Sequence, residues 1–369
     1  MNIQVLDQQF NIVYVLDSFE SVIWTDRFKV CGDFEVVTFM ASTMSEYLKK
    51  GYYLVSNESE HAMIIEEREI ETDVEEGDTL IIKGRSLESI LDRRIIWELI
   101  TFEKENLQTA LYRLINESIM FESIALDPIR HIPNFKFKLS TDTAITELLI
   151  TNQYLGNNLY DIVTDQCTAN KIGFKIILTA DNFFEFSLYA GVDRSYLQTD
   201  NPYIIFSPGY DNLLNSKYNE STKAYKNAAL IRGDKGTTIN DSTNVVSLRI
   251  DESVGIDRRE IYTDASSISS VTSTSAGSIY VEDYPKLLND QGVLDLSKCI
   301  ETSSFEGETD TTYNFTYGID YSMGDIVELQ SEYEIESVVQ ITELIISEST
   351  EGQTKIPTFS RIDNKEEDT

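Results

Sequence analysis

Between Leu80 and Trp97 the hydrophobic period of the chain changes, and that change marks a join between two kinds of structure. Leu80 and Ile82 alternate with Ile81 and Lys83 as strand residues do, and Gly84 breaks the run. Ser86 stands where it can cap a short helical turn in which Leu87, Ile90 and Leu91 share one face. Asp92, Arg93 and Arg94 then lead into a second apolar run, Ile95-Ile96-Trp97. Residues before the join read as β, and the stretch after it reads as helical.

Upstream, residues 3–6, 11–16 and 51–55 have the pattern of short strands, and W-T-D-R-F-K-V-C-G-D-F-E leads into the apolar run Val36, Val37, Phe39, Met40. Residues 62–72 and 79–83 are expected to pair around a turn at Glu76-Gly77-Asp78. Short strands separated by turn signals suggest a small barrel or sandwich. The hairpin carries Glu66, Glu67, Glu69, Glu71, Asp73, Glu75, Glu76 and Asp78, opposed only by Arg68 and Lys83. Charge of this kind blunts a strand edge against sheet-to-sheet pairing. No D-x-D-x-D-G spacing makes it a calcium loop.

Downstream, Leu107, Ala110, Leu111, Leu114 and Ile115 fall on one helical face with Asn106 as cap. A second helix is expected from Thr141 to near Gly156, with Ala144, Ile145, Leu148 and Leu149 inward. A third carries Leu159, Ile162, Val163 and a buried Cys167, with Gly173 as its left-handed exit. A hairpin over 174–179 and 183–189 turns at Asp181-Asn182, so the segment reads as a compact α/β unit. Beyond Ala190 strands are expected at 204–206, 225–231 and 245–250, with Arg232-Gly233-Asp234-Lys235-Gly236 as a turn whose R-G-D spelling is chance. Residues 264–278 read as a flexible polar loop and 283–289 as a short helix. Strands resume at 313–317, 326–330, 338–343 and 358–362, before a frayed charged end at 365–369.

Charge narrows the function. The 369 residues contain 63 acids and 30 bases, a formal net charge of -33. Affinity for phosphate backbones comes from Lys and Arg, so such a surface repels nucleic acid and anionic membranes. It suits either plain solubility or a surface past which a polyanion slides without sticking. The first residues have no basic leader with an apolar core, no apolar run reaches the length of a membrane span, and no membrane anchor is expected. Cys31, Cys167 and Cys299 are far apart and odd in number, as in a chain folded in a reducing cytoplasm. With only His61 and His131 beside them, and no C-x-x-C, H-E-x-x-H, G-x-S-x-G or phosphate loop, no catalytic residue, metal ligand or cofactor is expected. Three Arg clusters stand out instead: Asp92-Arg93-Arg94, Asp193-Arg194-Ser195 and Asp257-Arg258-Arg259-Glu260. Arginine beside carboxylates at the ends of elements makes bridges that fix one segment against another.

These clusters, with Trp24-Thr25-Asp26-Arg27-Phe28, Gly32-Asp33-Phe34-Glu35, the run K-G-R-S-L-E-S-I-L-D-R-R through Arg85 to Arg94, Asp211-Asn212-Leu213, Lys226-Asn227-Ala228 and G-I-D-Y-S-M-G-D-I-V-E-L through Gly324-Asp325, resemble the siphophage tail-hub family. That family is similar to the N-terminal part of tail-associated lysins and to the central baseplate hub of contractile-tailed phages. The resemblance implies an α+β, mainly β fold. Two tail-tube-like β-barrels, at 1–100 and at 191–263 with 311–369, are separated by an α/β domain at 101–190. A small insertion at 264–310 interrupts the second barrel.

It also implies a homotrimer that adapts a hexameric tail tube or distal tail protein to a trimeric spike, fibre or tape-measure protein. DNA then passes an acidic channel without specific binding. The protein is made in the host cytoplasm and resides at the virion tail tip. The motif residues Trp24, Arg27, Gly32, Phe34, Glu35, Arg85, Asp92, Arg93, Arg94, Asp193, Arg194, Ser195, Arg258, Arg259, Glu260, Gly324 and Asp325 become structural or interface positions, and the eight hairpin acids become lumen candidates. Lysin relatives continue into a peptidoglycan-cleaving domain that this sequence lacks, so wall hydrolysis is expected of another protein. A receptor- or carbohydrate-binding module and a tail-associated peptidoglycan hydrolase are the alternatives.

Overall fold

Along Asp33–Phe39, Phe34, Val36 and Thr38 turn inward while their neighbours stay half-exposed, which is the period of two that a one-sided sheet requires. The same logic builds most of the molecule. The computed structural model describes residues 1–40, 44–73, 77–213, 215–234, 244–274, 277–280, 284–308, 315–330, 336–350 and 352–361. Among them, 13 strands form one mixed sheet. Its path runs Asn215–Ser221, Thr302–Glu308, Gly352–Arg361, Glu336–Ser349, Ser21–Arg27, Asp33–Phe39, Gly77–Ser86, Met63–Asp73, Tyr53–Ser56, Ile3–Leu6, Ile12–Leu16. Ile326–Gln330 and Ile205–Phe206 attach beside it.

Glu336–Ser349 is the linking strand. Its first part pairs with Ile326–Gln330 and its last part, Glu343 to Ser349, with Ser21–Arg27, so one edge serves two partners in turn. A bulge between Ile341 and Glu343 bends it where the partner changes. Strands from the two ends of the chain therefore share one core, in which Trp24, Phe34 and Leu54 join Phe206, Tyr321, Val339 and Phe359.

The middle of the chain packs a second core. Asn106 caps the helix Leu107–Ser118 by accepting from Thr109 N, and Asn158 caps Leu159–Ala169 by accepting from Tyr160 N. These helices cover a three-stranded sheet of Gly173–Leu178, Phe184–Tyr189 and Phe135–Lys138. Cys167 is wholly buried among them. A third, smaller core lies where the helix Tyr284–Ser297 packs on the sheet of Ala228–Gly233, Val245–Arg249 and Glu260–Ala265. No helix among the described residues is long and apolar enough to cross a membrane.

Several local expectations are corrected. The helix expected from Thr141 is one turn, Thr143–Thr146; the chain then becomes the strand Leu149–Tyr154, paired with Ile100–Asn106. Ile150 and Asn152 turn inward there while Leu149 is 61 % exposed, so the apolar run that resembled a helix face is a β alternation. The left-handed residue after the third helix is Lys171, with φ 56°, and not Gly173. Gly173 begins a strand, and a Cβ there would lie 2.3 Å from the Phe28 ring. Ser86 makes no helix cap: its Oγ accepts from Gly32 N at 2.7 Å.

The polar stretch 264–278 contains strand residues, since Glu260–Ala265 runs into it and Val271–Thr274 pairs with Gly277–Tyr280. The helix expected at 283–289 runs from Tyr284 to Ser297, continuing past Gly292, whose missing Cβ makes room for Ile231. Asn215–Ser221 and Thr302–Glu308 are strands that polarity concealed. Phe315 to Tyr317 form no strand, while Tyr313, Lys235, Gly236 and 365–369 lie outside the described residues.

Candidate assembly site

The family-motif residues gather at three joints. At the first, Ser21–Arg27 turns into Asp33–Phe39. Trp24 is fully buried, its ring 6.0 Å from that of Phe34 and its Nε1 donating to Asp26 at 3.2 Å. Arg27 bridges Asp33 at 2.8 Å and Glu343 at 2.5 Å, tying the turn to the linking strand. A Cβ on Gly32 would lie 2.1 Å from Thr25 O, so the turn closes only with glycine. Glu35 pairs on the outer face with Lys83 at 2.7 Å.

At the second joint the chain leaves the α/β unit. Asp325 is 2 % exposed and accepts from Val192 N, Arg194 Nε and Ser322 N at 2.8, 2.8 and 3.0 Å. Ser195 is buried, and its N donates to Asp193. Two glycines allow the close approach. A Cβ on Gly191 would lie 1.7 Å from Gly324 O, and one on Gly324, with φ 91°, would lie 2.3 Å from the Phe28 ring. Phe28 thus sits between Gly173 and Gly324, with Tyr189 edge-on at 5.2 Å. All three parts of the chain meet at this ring.

The third joint comes after the acidic hairpin. Arg85 holds Glu66 through two bonds of 2.8 and 3.1 Å and reaches Asp92 at 3.1 Å. Asp92 accepts from Asn158, the cap of the helix Leu159–Ala169. Arg93 lies 3.9 Å from Glu66, and Arg94 donates to the Arg130 carbonyl. The remaining cluster stands apart, in the smaller unit. Arg258 bridges Glu260 at 2.6 Å, and Arg259 donates to Thr222 O over the Tyr225 ring.

The hairpin acids separate by position. A bulge between Ile65 and Glu67 turns Glu66 to Arg85. Beyond it Glu67, Glu69 and Glu71 alternate along one exposed face, opposite Lys83, Ile81 and Thr79. Asp78 pairs with Thr72 on the other face. The Asp73 side chain, Glu75 and Glu76 lie outside the described residues.

Sequence reasoning missed a buried charge cluster beside Phe28. Glu88 Oε1 accepts from Ile176 N at 2.8 Å and meets His61 Nδ1 at 3.0 Å; both side chains are buried. Asp26, 3 % exposed, accepts from Ser59 at 2.7 Å, and Ser59 Oγ in turn accepts from His61 N at 3.0 Å. Burial disfavours the imidazolium, but Glu88 and Asp26 outweigh it and raise His61 to about 9. The Glu88 carboxyl is lowered: burial alone would raise it, and His61 with the Ile176 amide reverses that. Asp26 is raised, chiefly by burial. The missed signals were the inward alternation of Val22, Trp24 and Asp26, and Glu88 standing one 3₁₀ turn before Leu91.

This arrangement, a long mixed sheet with a helical unit latched to it through glycines and arginines, is a phage tail-protein fold. It is shared along almost the whole chain with the 43 kDa tail protein of prophage MuSo2 from Shewanella oneidensis (TM-score 0.57, 13% identity, 98% of each chain covered). It is shared as well with the tail protein from Neisseria meningitidis MC58 (TM-score 0.58, 12% identity, 98% of this chain and 96% of that one). The prophage tail protein gp18 from Listeria monocytogenes EGD-e is a further match (TM-score 0.52, 14% identity, 99% and 95%). At such identities the likeness is one of fold. No curated protein matches. The chain belongs to the Siphovirus ReqiPepy6 Gp37-like protein family, whose profile matches residues 2–359.

Proposed function

We propose that the protein is a structural hub of the phage tail tip, a ring of three copies that joins the tail tube to a tip spike, fibre or tape-measure protein and leaves a passage for DNA. In this reading the two parts of the long sheet are two tube-like barrels. The first lies within 1–100. The second, expected at 191–263 with 311–369 around an insertion at 264–310, is redrawn as 191–227 with 298–361 around Ala228 to Ser297, because Ala228–Gly233, Val245–Arg249 and Glu260–Ala265 form a sheet of their own and Thr302–Glu308 pairs into the long one. Three copies with two similar modules each offer six near-equivalent contacts on one side and three on the other.

The observation that carries the reading is the face of Glu67, Glu69 and Glu71 on a chain of net charge -33, within a fold shared with tail proteins. Carboxylates lining a passage repel phosphates, so DNA moves through without site-bound contacts. Replacing these three acids by Lys is expected to slow DNA ejection while tails still assemble, as followed by dye-reported ejection and electron microscopy. Unchanged ejection would refute the passage role, and images of a solitary particle in place of a three-fold ring would refute the hub.

A further inference from the structure

Positive charge is scarce in this chain, and at the third joint three arginines gather with one carboxylate at ion-pair distance, Glu66, 3.9 Å from Arg93. Arg94 directs Nη1 to Arg93 O at 2.9 Å, and Nε and Nη2 to Arg130 O at 3.3 and 2.8 Å, so its hydrogen bonds go to carbonyls that leave its charge unopposed. Arg130 is 7 % exposed and stacks on the Trp97 ring, with Cζ 4.2 Å from the centroid. Its Nη2 donates to Ile95 O at 2.7 Å, while Nη1 is buried with no partner among the described residues. Burial lowers the pKa of both the Arg94 and the Arg130 guanidinium, and the neighbouring charge, Arg93 for Arg94 and Arg94 for Arg130, lowers it further. Asp127 acts on Arg130 only at longer range, and its Oδ1 is occupied by Ile129 N.

Three large apolar side chains stand exposed on the same segments. Trp97 is 48 % exposed, Ile95 47 % and Ile129 88 %. Tryptophan and arginine beside exposed aliphatic side chains are the composition of an interface anchor. Large exposed aliphatic groups beside a buried, half-satisfied guanidinium are costly in water and become favourable once covered by matching groups.

We propose that the face formed by Arg93, Arg94, Arg130, Trp97, Ile95 and Ile129 docks an acidic segment of another protein, one that sets carboxylates against the arginines and a large apolar side chain against Trp97 and Ile129. Charge favours a short acidic segment over a second copy of this chain. A copy brings a further net charge of -33 against the first, whereas a segment brings only the few carboxylates that the arginines neutralise. This surface lies at the join between the acidic hairpin and the α/β unit, so the docked segment would lie across both.

The test uses the full chain and a fluorescein-labelled Glu-Phe-Glu-Glu-Leu-Glu peptide, with Gln-for-Glu and Lys-for-Glu versions as controls. Anisotropy is expected to show binding of the Glu peptide alone, weakened by salt and accompanied by a change in tryptophan emission. Arg93→Glu with Arg94→Glu is expected to weaken it by about tenfold or more. Ile129→Asp, in a side chain that is 88 % exposed and therefore spares the fold, is expected to weaken it as well. Equal binding of the Gln peptide, no binding, or indifference to both variants would overturn the proposal. So would sedimentation showing that the arginine variant abolishes self-association while the peptide fails to bind, which would give the face to a second copy.

Discussion

At the Arg194 joint a carboxylate, Asp325, is 2 % exposed and holds two backbone amides and a guanidinium. Along the hairpin, Glu67, Glu69 and Glu71 carry the same group on an exposed face. Both are strings of acid and base residues in the sequence, and they do opposite things. Where backbone and glycine bring the carboxylate inside, it fixes one segment against another, and removing its partner strands a charge in a poorly solvated place. Where the carboxylate remains in water, its local contribution to stability is small and its effect is on what approaches from outside.

Perturbing the buried side should give the largest effects. Gly191→Ala sets a Cβ 1.7 Å from Gly324 O, a backbone atom that cannot turn aside, and is expected to cost about 4 kcal/mol or more in chemical denaturation. A loss below about 1 kcal/mol would show that the two segments can part, and that the joint is looser than its geometry. Next comes Asp325→Ala, expected to cost about 3 kcal/mol because Arg194 and two amides lose their acceptor together. Asp325→Asn, which keeps the shape, should cost less.

The charge cluster gives a pH-dependent effect of intermediate size. His61 is raised from 6.5 to about 9, so its contribution is complete below 6.5 and is lost as the pH rises through about 9. Glu88 is lowered, so its contribution is present above its ordinary value of 4.5 and is lost as the solution is acidified below it. Asp26, raised, works against Glu88 on the acid side, which makes the alkaline limb the cleaner test. Stability is expected to fall by roughly 2 kcal/mol between neutral pH and pH above 9, read as a lower melting temperature, and Glu88→Gln should flatten that fall. A flat alkaline limb in the unaltered protein would mean that His61 is neutral in the folded chain. The smallest effect is expected on the exposed side. Glu67→Gln, Glu69→Gln and Glu71→Gln together should shift stability by no more than about 0.5 kcal/mol, and a larger loss would mean that the hairpin face is structural after all.

Much of the architecture was legible because it depends on local period. The alternation at Asp33–Phe39, the apolar stripe and Asn106 cap of Leu107–Ser118, and the buried face carrying Cys167 all arise from side chains within one element. The missed strands have one cause. Leu149–Tyr154 is a strand because Ile100–Asn106 lies beside it, and Asn215–Ser221 because Thr302–Glu308 does. A ladder partner remote in sequence supplies the hydrogen bonds that these residues do not announce.

The candidate site divides in the same way. Arginines next to acids at Asp92–Arg94 and Asp193–Ser195 could be read as bridging groups from their neighbours alone. That Arg194 would find Asp325, that Arg27 would reach Glu343, and that His61 would be sealed against Glu88 could not. By itself the sequence determined the β-rich character of the chain, the helical interval between the strands and the excess of negative charge, because propensity, period and composition are properties of short stretches. Only the tertiary structure decided that strands from both ends share a sheet through Glu336–Ser349 and that Phe28 is closed in by two glycines, because such contacts exist only once distant segments are held together.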